Sequence, residues 1–342
     1  MGNTLKFHHD GRGAEEADAE AGAKARARME VTLRQGAAQA KTLFEKLQHE
    51  ETHGGSRIVP GKDLIFFSRN GRLQVSVKND ENFDLHRNAA GQIAGLCHIP
   101  RDHAREALLL HPDQADEQKF DWSVRRANKF MEYMNVVWES CHDKNWLLRR
   151  VEGQVRGVLS SSYKPMQSSQ LLHAFAGALG KTGGVPSAAL WDDTRFHLRA
   201  VRPEIIEAIP GEPMLLGIEI RHSDFGHGAL VMRSFVERCW CTNTAMMDAL
   251  LREVHLGARL PPGIFNHEVH ASDMKTICLA VGELVERGLG DVTRDKLTAC
   301  VQKASEEKVG WEELHARIGR ILTKEEQKRA EALWTNPRDE NQ

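Results

Sequence analysis

Between Asp63 and Cys241 the chain sets pair after pair of short β-type runs on either side of tight turns, and that pattern dictates antiparallel sheet. Leu64–Phe67 and Leu73–Val77 flank Asn70-Gly71, the dipeptide best suited to a type I′ turn. Trp146–Val151 and Val155–Ser160 are joined by Glu152-Gly153. Ala188–Trp191 and Arg195–Val201 are joined by Asp192-Asp193-Thr194, and Met214–Arg221 and Ala229–Cys241 by His222–Gly228. Helical periodicity fills the intervals at 15–51, 86–97, 101–110, 116–143 and 167–179. Another helix is expected after Asn243, capped there or at Thr244 and striped by Met246, Leu250, Leu251 and Val254. Beyond Pro261-Pro262-Gly263 the chain reads as helical to its end, with a capping box at Thr323–Glu326.

The expected fold is α+β: a central antiparallel sheet of hairpins packed with helices, with helical extensions at both ends. Residues 1–55 read as a disordered start and a helix, 56–264 as the α+β core, and 265–342 as a helical region. No apolar run approaches the roughly 18 residues of a membrane helix, and no basic-then-apolar signal opens the chain. Lys6 stands where a myristoylation motif requires Ser or Thr. Six cysteines without secretory features point to reduced thiols and a cytoplasmic protein. With a net charge of −2, any nucleic-acid surface has to be a local patch.

Candidate chemistry begins at the central hairpin. A two-residue turn at Glu152-Gly153 is expected to set Arg149 opposite Arg156, a like-charge pair costing about 1 kcal/mol or less and calling for a counter-anion. Arg195, His197 and Arg199 share one strand face, while Phe196, Leu198 and Ala200 take the other. On the next strand Met214, Leu216, Ile218 and Ile220 face inward, leaving Glu219 and Arg221 outward, and Arg233 continues the outward set. Residues 145–241 hold 11 basic and 9 acidic side chains, so placement and not net charge would make a patch. Tyr163-Lys164 adds a ring and a charge just past the second strand. The candidate nucleic-acid-binding residues are therefore Arg149, Arg156, Tyr163, Lys164, Arg195, His197, Arg199, Arg221 and Arg233.

Other motifs fail on spacing. His267-Glu268-Val269-His270 is one residue short of a zinc-protease helix. Gly180-Lys181-Thr182 follows a helix, and Phe175 stands where a phosphate loop needs Gly. Cys239 and Cys241 lack a second cysteine pair and read as the buried end of a strand. No cofactor, metal site or catalytic set is expected.

Several segments, in order, resemble the phage/plasmid-like proteins catalogued as domain-of-unknown-function family 932. They are Ala89–Pro100, Trp146–Ser160 with Tyr163-Lys164-Pro165, Gly217–Gly228, Arg238–Asn243 and Val254–Gly257. His222 and Thr244 depart from the family pattern, which favours Asn and Gly there. The resemblance implies a role in the DNA metabolism of a mobile element. Together with the basic strands it leads to an expected nucleic-acid-binding protein. Single-stranded DNA is the favoured partner, strand annealing or recombination the favoured task, and a homo-oligomer the favoured state. Two alternatives are a metal-dependent nuclease using His222, His227 or His255, and a structural or host-interaction oligomer.

Overall fold

A computed structural model of the chain describes residues 14–69, 72–78, 81–100, 117–209, 212–238, 244–246, 251–253 and 267–306. The fold is α+β, with its strands divided between two sheets. The first holds β1 (Gly54–Pro60), β2 (Leu64–Arg69), β3 (Arg72–Val77), β4 (Asn82–Leu85), β5 (Asn145–Val151) and β6 (Gln154–Ser160). Their order is β1-β5-β6-β4-β3-β2, antiparallel throughout except for the parallel pair β4 and β6. The second sheet runs β11-β10-β9-β8-β7, from β7 (Val185–Trp191), β8 (Phe196–Ile209), β9 (Glu212–His222) and β10 (Leu230–Arg238) to β11 (Thr244–Met246); β12 (Leu251–Glu253) also pairs with β10. The helices are α1 (Ala14–His53), α2 (Arg87–Leu96), α3 (Glu117–Trp138), α4 (Ser168–Thr182), α5 (His267–Gly288) and α6 (Asp291–Glu306).

Each sheet buries one apolar face under helices. On the first, Phe66, Val75, Phe83 and Val155 pack with Ala90 and Ile93 of α2 and Met131, Met134 and Trp138 of α3. On the second, Leu198, Leu216, Ile218 and Met232 pack with Leu43 of α1, Leu172 and Phe175 of α4, and Val281 and Val285 of α5. Helices also guard the sheet edges at β2 and β7. The Asn135 amide of α3 bonds Phe66 N and O at 2.8 and 2.6 Å, taking the place of a neighbouring strand beside β2. Gln39 of α1 accepts from Ala189 N of β7 at 3.1 Å. The contact needs Gly36, where a methyl would run into the Ser187 carbonyl. Covering edges in this way blocks strand addition by other chains.

Two sequence expectations are corrected here. The helix expected directly after Asn243 is replaced, among the described residues there, by two strands: β11 and β12 both pair with β10. The unpaired edge of β10 offers backbone bonds that outweigh a weak helical preference. The strands expected at Arg195–Val201 and Met214–Arg221 run further toward each other than their sequence bounds: β8 extends to Ile209 and β9 starts at Glu212, with register shifts between them. The Asn70-Gly71 turn, the 101–110 helix, residues 239–243, His255 and the 323–326 cap lie outside the described residues. Among the described residues, no helix is long and apolar enough to cross a membrane.

Candidate functional site

The expected Arg149/Arg156 clash does not occur. Glu152 and Gly153 do form the tight turn, with φ of 50° and 76°. A bulge then pairs Arg149 with Gly157 and Arg150 with Val155, leaving Arg156 without a direct cross-strand partner. Both side chains turn into the junction between the sheets, each residue 8 % exposed. Arg149 lies 3.4 Å from Asp224 and donates to Ser56 Oγ at 2.8 Å. Arg156 reaches Glu50 at 2.5 Å and donates to the Asp193 carbonyl at 3.1 Å. The two guanidiniums flank the Phe225 ring, 5.7 and 5.9 Å from its centroid.

The plug that carries Phe225 is the His222–Gly228 turn between β9 and β10. Asn88 and Gln92 of α2 both donate to the Phe225 carbonyl, at 3.0 and 2.7 Å. Ser223 Oγ donates to Thr194 O at 2.6 Å and accepts from the amides of Phe225 and His227. Asp224 caps α4 by accepting from Ser168 N at 2.9 Å. Burial alone would raise the Asp224 carboxyl, but the Arg149 charge and bonds from His222 and Ser168 outweigh it and hold the group well below the usual range. His222 Nε2 lies 2.8 Å from Met166 O, and His227 bonds the Thr194 hydroxyl at 3.0 Å. Among the described residues, no group of three or more His, Cys, Asp or Glu side chains is placed to hold a metal ion.

The second cluster occupies the other face of the second sheet. Register sets Arg199 of β8, Glu219 of β9 and Arg233 of β10 in one row, with His197 and Arg221 in the row beside it. Glu219, expected to point outward, does share this face but is 0 % exposed, because the surrounding cations close over it. Its Oε2 bonds His197 Nε2 at 2.9 Å and accepts from Arg221 at 3.0 Å. Burial pushes this carboxyl up, and the His197 bond and Arg221 charge bring it below its ordinary value. Arg199 rests 4.1 Å over the Phe235 ring and 3.7 Å from Glu237. The stack is possible because Gly217, opposite Phe235, has no side chain to collide with that ring. Burial raises the Glu237 carboxyl, against the pull of Arg199 and Arg28. Nε and Nη2 of Arg199 and Nε of Arg233 are buried without a hydrogen-bond partner among the described residues. Farther along, Met29 and Leu33 of α1 cover Val201, Leu215 and Phe235.

The nine predicted residues thus separate. Arg149 and Arg156 lie in the junction, as does Tyr163, which is buried with its hydroxyl 3.4 Å from Ser223 O. Lys164 pairs with Asp273 of α5 at 2.7 Å. His197, Arg199, Arg221 and Arg233 gather on the second sheet, and Arg195 stands at its margin, paired with Asp192 at 3.0 Å. The side chains of Arg195 and Arg221 are 58 % and 46 % exposed. Sequence reasoning missed the carboxylates Glu50, Asp224, Glu219 and Glu237 as partners. Strand alternation flagged only Glu219, as an outward acid between outward arginines.

Comparison of the chain with family profiles, curated proteins and solved structures finds no match.

Proposed function

We propose that this is a nucleic-acid-binding protein, with single-stranded DNA as the favoured partner, and that it binds through the polar face of β8–β10. The observation that carries this reading is the gathering of His197, Arg199, Arg221 and Arg233 on adjacent strands, with Arg195 beside them. Cations spaced by two residues along a strand stand roughly 7 Å apart, and neighbouring strands lie about 5 Å apart. Such a grid can follow a phosphate backbone without reading bases. Glu219 and Glu237 neutralise part of this charge. Nitrogens of Arg199 and Arg233 that lack a hydrogen-bond partner among the described residues are buried, so a phosphate takes them up once these side chains swing outward.

Arg149, Arg156 and Tyr163 have no part in the proposed surface, since the fold spends them on its own junction. The resemblance to phage/plasmid-like proteins supports a DNA partner and a mobile-element setting. Several copies on one strand would convert a weak patch into avid binding, and annealing would follow from holding two strands on one basic surface. Fluorescence anisotropy with labelled single-stranded oligonucleotides at low salt tests the reading. Saturable binding that Arg195→Gln/Arg221→Gln weakens is expected. Absence of binding at low salt, or an unchanged affinity in the double variant, would overturn it.

A further inference from the structure

A cavity of about 280 Å³ lies at the sheet junction, between the last turn of α1, the start of β1, β5 and the first turn of α4. It is separate from the proposed nucleic-acid face, and its walls carry opposite charges. Arg149 contributes a guanidinium whose Nε is buried and has no hydrogen-bond partner among the described residues. Glu50 and Glu51 contribute carboxylates from α1. Glu50 is committed to Arg156 and Lys46. Glu51 is exposed, accepts from Ser169 Oγ at 2.6 Å, and has no ion pair among the described residues. The end of α1 adds its partial negative charge to the side of Glu50 and Glu51, while the positive start of α4 is already capped by Asp224.

We infer that this cavity binds a small zwitterion of α-amino-acid type, its carboxylate toward Nε of Arg149, its ammonium toward Glu51 and the end of α1. A simple anion would meet the carboxylates of Glu50, Glu51 and Asp224, and a simple cation would meet Arg149. A molecule bearing both charges close together satisfies both walls. The volume lies at the low end for ligand pockets, about 300 Å³, and so fits a compact molecule.

The test is calorimetric titration of the full chain with glycine, L-alanine and L-serine, set against acetate, methylamine and inorganic phosphate. At least one amino acid is expected to bind and to raise Tm with concentration, while the single-charge probes do neither. Glu51→Gln, which keeps an acceptor for Ser169, is expected to weaken binding about tenfold or more by removing the ammonium's counter-charge. Circular dichroism checks that the variant remains folded. Failure of all three amino acids to bind overturns the inference. So does equal binding by acetate or phosphate, which would mark an anion site, or an unchanged affinity in Glu51→Gln.

Discussion

Arg149 and Arg156 at the junction and Arg199, Arg221 and Arg233 on the second sheet belong to one residue type, all on β-strands, yet the fold uses the two sets differently. The junction pair is enclosed, and each member faces its own carboxylate, from Asp224 and Glu50. The sheet set surrounds one buried carboxylate, Glu219, and opens to solvent at Arg221. Enclosure turns an arginine into a joint, because a desolvated charge must be matched in place. Partial enclosure leaves it available to an outside anion. The contrast is therefore between cations enclosed with their own carboxylates and cations on a sheet face that opens partly to solvent.

The largest test of that contrast is Asp224→Asn, which leaves Arg149 buried without its counter-charge and removes the carboxylate cap of α4. A loss of about 3–5 kcal/mol is expected by denaturant titration, and a loss below about 1 kcal/mol would mean that the junction pair is not structural. Next comes pH. The carboxyls of Asp224 and Glu219 sit below their ordinary values. The stability they bring is full above the ordinary carboxylate range of about pH 4 and is lost as pH falls through the lowered values. Stability measured across this acid range should fall in wild type and flatten in Asp224→Asn; parallel profiles would contradict it. The smallest expected effect on folding is that of Arg195→Gln, within about 0.5 kcal/mol, since its ion pair with Asp192 is exposed. A large loss there would erase the difference between the two sets.

Local features were legible in the sequence and distant ones were not. Glu152-Gly153 announced its turn because two residues determine it. The bulge that separates Arg149 from Arg156 had no comparable local mark, and the acid that pairs Arg156 lies 106 residues away. Alternation identified the face shared by Arg199, Glu219 and Arg233, since parity is a property of the strand alone. The depth of Glu219 depends on neighbours drawn from three strands. The segment after Asn243 carried a helical stripe, and only the free edge of β10, invisible in local sequence, makes it pair as strand. The segments 89–100, 146–160, 163–165 and 217–228, on which the expected resemblance rested, converge on the junction through Gln92, Arg149, Arg156, Tyr163 and Phe225. What they spell most directly is how two sheets are joined.

The salt dependence of single-stranded DNA binding tests the central claim most directly. The slope of log K against log salt should be measured for wild type and for Arg195→Gln/Arg221→Gln/Arg233→Gln, both confirmed as folded. Three lost phosphate contacts on single strands should make the slope shallower by about 2. An equal slope in the two proteins, or no binding by wild type at low salt, would contradict the division of labour between the junction arginines and those of the second sheet.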